Sequence, residues 1–191
     1  MNQSIDWAQK LRHAIERITK RYEHIGRKTG APFLAIVYPP DSEREVLMEW
    51  KTLTASLYAD YVFREIDAMA LTTAEVEKHG VENIVALFEK PMPGSNAKSE
   101  LGQMWVTAVA NAVKEESQKS SKSKRIVVVL RGLAALYPAT GPRAVMQTLW
   151  DSQQSVLAGP VVVFIPGSLV ESRVYSFLNL REEFMYRGDV L

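Results

Sequence analysis

The alternation of apolar and polar positions predicts helices and buried strands in turn along most of the chain. Over residues 4–25, Leu11, Ile15, Ile18, Tyr22 and Ile25 recur at spacings of four and three, with Lys, Arg, Glu and His between them. That is the period of an amphipathic helix, and Gly26, Lys28, Thr29 and Gly30 break it. Pro32–Val37 is apolar throughout and reads as a buried strand, stopped by the turn Tyr38-Pro39-Pro40. Ser42 with Glu45 has the form of a capping box opening a helix from about 43 to 58. Tyr61–Ile66 reads as a second strand. Thr72 with Glu75 marks the next helix start, with a break at His79-Gly80 and a resumption to Glu89. After the loop Lys90–Ser95, a helix over 98–118 places Leu101, Trp105, Ala108 and Ala112 on one face. Lys114–Lys124 reads as a polar tether leading into Arg125–Leu130, the clearest buried strand, which ends in the turn Arg131-Gly132. Pro142 opens a helix to about Ser155, and Gly159-Pro160 leads to a strand, Val161–Ile165, ended by Pro166-Gly167. The tail reads as a short helical stretch over 170–180 and an extended piece over 184–187.

Strands that are apolar on both faces and alternate with helices imply a mostly parallel sheet covered on both sides. The expectation is a single three-layer α/β domain over residues 1–191 with a central sheet of four to five strands, a degenerate P-loop-like fold being one candidate. The chain's 191 residues and 47% hydrophobic content suffice for one sizeable core. Its 23 basic and 22 acidic residues nearly cancel, which argues against broad electrostatic capture of nucleic acid or an anionic membrane. Cysteine is absent, so disulfides, thiolate nucleophiles and Cys-ligated zinc are excluded. The apolar runs Ile126–Leu130 and Val161–Ile165 are too short to span a bilayer, and residues 1–25 are charged throughout, unlike a signal peptide. A cytoplasmic protein without membrane contact is the expectation.

In such sheets ligands bind beyond the carboxyl ends of the strands. The turn after the first strand, Tyr38-Pro39-Pro40-Asp41, lacks the glycines and the lysine of a phosphate loop, and its two prolines remove two donors. Where a P-loop ATPase carries a magnesium-holding carboxylate after its later strand, this chain has Leu130-Arg131-Gly132. His13, His24 and His79 have no metal-ligand spacing, and Ser168 has no identifiable base. Asp41 and Asp67 follow strands and read as turn and cap residues. Glu182 and Glu183, flanked by Arg181 and Arg187, read as a solvated salt-bridge patch, with a polar site as the alternative. Lys119–Arg125 carries four positive charges among serines. It reads as a solvated loop, with a weak contact to nucleic-acid phosphates as the alternative. The N-terminal helix either docks on the domain's own sheet or uses Trp7 and Leu11 to seat a partner in helix-in-groove fashion. No catalytic residue, metal or cofactor is expected.

Several segments form one pattern: in the tail Pro166, Gly167, Phe177, Leu180, Glu182, Glu183, Tyr186 and Arg187, and upstream the Tyr38-Pro39-Pro40 turn and VVVLRGLAALYP with Gly132, Tyr137 and Pro138. Together they resemble the BrxB-type proteins of bacteriophage exclusion (BREX) defence systems. The resemblance covers most of the chain from about residue 32 and departs from the family pattern at Leu169-Val170-Glu171. It implies a small non-enzymatic accessory subunit, encoded beside a DNA methyltransferase, a large ATPase and an alkaline-phosphatase-like PglZ protein. Such a subunit would support PglZ or the methyltransferase in phage exclusion and self-DNA marking and meet nucleic acid only indirectly. Trp7, Leu11, Arg181, Glu182, Glu183, Tyr186 and Arg187 are then the candidate partner-binding residues. The alternative functions are a degenerate nucleotide-binding regulator of a partner ATPase and a subunit with weak nucleic-acid contact.

Overall fold

Six apolar residues in succession, Phe33–Tyr38, form strand β1, and every one of them is buried. Successive side chains of a strand point to opposite faces, so such a run needs cover on both. Phe33, Ala35 and Val37 enter one core, while Leu34, Ile36 and Tyr38 enter a second on the other side of the sheet. The computed structural model describes residues 6–20, 33–90, 93–119, 121, 123–152, 157, 159–185 and 188–191. Within them, β1 is followed by α2 (Glu43–Thr54), β2 (Tyr61–Asp67), α3 (Ala68–His79), α4 (Val81–Glu89), α5 (Ala97–Gln118) and β3 (Arg125–Arg131). Helix α6 (Pro142–Asp151), β4 (Val161–Glu171), β5 (Val174–Phe177), β6 (Arg181–Phe184) and β7 (Asp189–Val190) complete the order, and α1 (Trp7–Lys20) precedes β1.

The sheet runs in the order β2-β3-β4-β1-β7, and all four pairings along it are parallel. On one face α5 and α6 contribute Val106, Val109, Val113, Val145 and Leu149 to the larger core; on the other, α1 and α2 contribute Trp7, Leu11, Ile18, Val46 and Trp50. This is the three-layer α/β arrangement expected from the alternation of buried strands and helices. No helix among the described residues is long and apolar enough to cross a membrane.

The tail departs from the expected pattern. Residues 170–180 are not helical: β4 continues through Pro166-Gly167 to Glu171 and turns back as the antiparallel strands β5 and β6. The alternation along Val174–Phe177, with Tyr175 and Phe177 buried and their neighbours half-exposed, is a period of two. Pro166 does not stop β4, because it is the last residue paired with β1, opposite Tyr38; beyond it the strand changes partner. Gly167 (φ 154°) sits so close to β5 that a Cβ there would lie 2.0 Å from the Ser176 carbonyl oxygen. The turn between β5 and β6 holds Leu178 and Asn179 at positive φ (54° and 58°), a conformation that strains a leucine.

The capping box expected at Ser42 and the helix start expected at Thr72 are also replaced. Ser42 already has near-helical angles at the end of a 3-10 turn, Pro40–Ser42, and its hydroxyl donates to Asp41 rather than capping α2. Helix α3 starts at Ala68, where the Asp67 carboxylate accepts from the Met69 N–H, and Thr72 lies buried inside it. Helix α5 extends through Lys114–Gln118, so the first part of the supposed tether is helical. Its buried residues include Leu101, Val106, Val109 and Val113, with Trp105, Ala108 and Ala112 only partly covered. The stripe is rotated because the helix packs against α3 and α6 as well as the sheet. Residues 21–25 and 153–156, expected as helix ends, and 186–187, expected as extended, lie outside the described residues.

Candidate functional site

The tail hairpin is fastened by one buried carboxylate. Glu183, on the inward side of β6, is only 7% exposed. Its Oε2 accepts from the Tyr175 hydroxyl (2.8 Å) and from the Arg143 backbone N–H (2.9 Å), and its Oε1 accepts from Arg181 Nη2 (2.6 Å). Arg143 lies in the first turn of α6, where unpaired N–H groups and the helix dipole favour a negative charge. A buried carboxylate is tolerable when donors surround it in this way. Gly141, just before α6, makes room for it: a Cβ there would fall 2.0 Å from Arg181 Nη2 and 2.3 Å from Glu183 Oε1. The Arg181 guanidinium also lies 5.8 Å from the centre of the Phe177 ring. Burial foremost, and next the charge of Glu183, push the Tyr175 phenol far above the ordinary tyrosine range. It therefore stays a proton donor, and both oxygens of Glu183 are occupied. The solvated-patch reading of Glu183 is thus corrected, since its carboxylate is desolvated and internal, whereas Glu182 points outward and is exposed. Tyr186 and Arg187 lie outside the described residues.

Above this cluster the hairpin presents apolar side chains to solvent. Leu169, Val170, Leu180 and Phe184 are all exposed. Beside Phe184, a cavity of about 220 Å³ opens between β6 and α6, bounded by Phe33, Met146, Trp150 and Met185, with Arg143 and Asp151 also lining it.

The N-terminal candidates go elsewhere. Trp7 and Leu11 are buried in the second core, with Ala14 and Ile18, so α1 packs on its own domain and these two residues are not presented to a partner. Apolar burial on the scale of a tryptophan and a leucine outweighs leaving them exposed. The same helix brings Lys10 Nζ to the Val37 carbonyl (2.8 Å) and over the Trp7 ring, and burial lowers the Lys10 ammonium from its usual value.

At the carboxyl ends of the strands, Arg131 pairs with Asp67 (3.0 Å) and Glu65 (3.5 Å) on β2, so its charge is already matched. Asp67 additionally caps α3. Tyr38 is fully buried beside Glu43; burial first, and then that carboxylate, push its phenol well above the ordinary range, and its hydroxyl makes no hydrogen bond of normal geometry. At the opposite, amino ends of β2, β3 and β4, Lys20, Lys119, Lys124 and Arg125 line a cavity of about 620 Å³, and no carboxylate is among its described lining residues. Lys119 is held by Glu115 and Glu116, and Lys124 donates to the Tyr58 carbonyl. Ser168 is an exposed strand residue facing Ser176, His13 is exposed, and His79 meets Glu75 on its own helix. Among the described residues no group of three His, Cys, Asp or Glu could hold a metal ion.

Sequence reasoning singled out Arg181 and Glu183 but missed Tyr175, Arg143 and Gly141. The period-two alternation of Val174–Phe177 carried the signal for Tyr175; nothing local links Arg143, some forty positions away, to Glu183. None of the protein-family models, curated proteins and solved structures compared with the chain matches it.

Proposed function

We propose that this chain is a non-catalytic, cytoplasmic accessory subunit of the BrxB type in a BREX phage-defence complex. It binds a PglZ-type protein or the methyltransferase and supports phage exclusion and self-DNA marking. The observation that carries this reading is the tail hairpin: a buried, three-fold hydrogen-bonded Glu183 fixes it to α6, while Leu169 and Val170 on β4, Leu180 in the β5–β6 turn and Phe184 on β6 remain exposed. A rigid element that leaves apolar side chains exposed suits a protein contact, since little ordering entropy is then lost on binding. Arg181 and Glu183 act by holding the hairpin, and Glu182 lies at the rim of the contact.

The test is co-expression with the PglZ-type protein and with the methyltransferase. Wild type should recover one of them, and L180E/F184E should lower that recovery at least about tenfold while remaining folded, the loss typical of central apolar anchors. Equal recovery by wild type and variant overturns the hairpin assignment. Truncation at residue 170 is not a useful variant, because Tyr175, Phe177 and Met185 belong to the core.

The basic cavity at the amino ends of β2, β3 and β4 favours a second reading, a weak contact to nucleic-acid phosphates through Lys119, Lys124 and Arg125. It requires DNA binding that weakens with salt and again in K119Q/K124Q. The nucleotide-regulator reading has less support, since prolines stand at the end of β1 and Arg131 is already paired. Absence of a thermal shift with millimolar ATP and magnesium would end it, because ligand at about 100 times its dissociation constant adds about 2.7 kcal/mol.

A further inference from the structure

Helix α4 is apolar on more than one side and yet has no buried residue. Five of its nine residues, Val81, Ile84, Val85, Leu87 and Phe88, are large and apolar. Ile84 and Leu87 are half-buried, and the helix touches α3 and α5. The other three, spaced by four and three residues, form one outward stripe and are 61%, 44% and 49% exposed. Single exposed apolar residues are ordinary on a surface, but a stripe at helical spacing is the pattern of a face meant to be covered.

Charge identifies the kind of cover. Glu82 and Glu89 flank the stripe seven residues apart, so both lie on the same side of it, and Glu77 stands at the end of α3; all three are exposed. Of the nearby cations, Lys78 is paired with Glu75 and Lys90 follows the helix. In an antiparallel pair of two α4 stripes, the flanking positions of one helix meet the same positions of the other, which sets Glu82 against Glu89 twice. Three side chains on nine residues also offer too little area for a flat contact, given the ~1,200–2,000 Å² of a specific interface. A groove that wraps the helix supplies the missing area.

Resting on the reading of the chain as an interaction subunit, we propose that α4 docks in an apolar groove of a different protein, whose rim carries lysine and arginine side chains. Val81, Val85 and Phe88 fill the groove, and Glu82 and Glu89 meet the cationic rim. Gly80, at φ +82° between α3 and α4, sets the angle at which the helix leaves α3.

The experiment uses the full-length chain co-expressed with the PglZ-type protein and with the methyltransferase as probes. V85D/F88D alters only exposed side chains, so its melting temperature should match wild type while recovery of the bound probe falls at least about tenfold. E82K/E89K leaves the apolar stripe intact and should weaken recovery as well, by opposing the basic rim. Wild-type recovery by V85D/F88D overturns the docking helix and leaves the subunit reading standing. Unchanged or stronger recovery by E82K/E89K overturns the basic groove. Sedimentation of the wild type as a dimer that V85D/F88D converts to a monomer makes the occupant a second copy and overturns the heterotypic partner. Recovery of neither probe by wild type overturns the subunit reading and the docking helix with it.

Discussion

Glu183 shows how much one side chain settles. Its two oxygens join β6, β5 and the first turn of α6, so removing any donor leaves part of a buried charge unsatisfied. Y175F deletes one donor and little volume, and it should destabilise the fold by about 1–3 kcal/mol, the usual cost of an orphaned buried polar group. In a chain of this length each kcal/mol corresponds to roughly 2–4 °C in Tm, which calorimetry resolves. G141A tests the same cluster from the other side: its new methyl group would overlap Arg181 Nη2 and Glu183 Oε1. The cost should be about 1–3 kcal/mol by overpacking, read from urea unfolding. Should G141A prove neutral, the cluster is looser than its distances indicate. Arg181 and Glu183 were legible as candidates from the sequence. Their role was not, because an Arg-Glu-Glu run reads as solvated until the strand that turns one of its carboxylates inward is known.

Among the elements, α1 and α4 form a natural comparison. Both carry several apolar residues, but α1 buries Trp7, Leu11, Ala14 and Ile18 while α4 buries nothing. Leu11→Ala should therefore cost about 2–5 kcal/mol, as in other large-to-small core substitutions. Val85→Ala on α4 should stay within about 0.5 kcal/mol, as surface changes do. Chemical denaturation of the two variants side by side checks both. A large effect at Val85 would mean that α4 contributes to the domain's own stability more than its exposure allows. The hairpin belongs to the same scale. Its apolar residues were visible in the sequence, but which of them find cover was not: Tyr175, Phe177 and Met185 are buried, while Leu169, Val170, Leu180 and Phe184 are exposed.

The whole molecule carries an alkaline limit. Tyr38 and Tyr175 have phenols raised above the usual value of 10.0 by burial. In the unfolded chain they lose their protons near pH 10, while the folded chain keeps them. Above that pH the native state binds more protons, so the stability they contribute is intact below pH 10 and is lost as pH rises further, by up to about 1.4 kcal/mol per pH unit for each phenol. Lys10 acts with the opposite sign: its lowered ammonium makes stability rise with pH between its folded value and about 10.5. Thermal unfolding should show Tm falling above pH 10, and Y175F should fall less steeply than wild type. Identical slopes would remove Tyr175 from this account.

Runs such as Phe33–Val37, Ile126–Leu130 and Val161–Ile165, apolar at successive positions, determined by themselves that the sheet is mostly parallel and covered on both faces, because no half-exposed strand can carry them. The turn residues Pro39, Pro40 and Gly80 likewise marked where elements end, through fixed or permissive backbone angles. Only the tertiary structure decided that Val174–Phe184 is a hairpin rather than a helix, that Glu183 is buried and that α4 is left uncovered. Those outcomes depend on contacts between residues far apart in sequence, Glu183 with Arg143 and Gly141, and Pro166 with Tyr38. Local periodicity records which side chains avoid water, and packing alone settles which of them find cover.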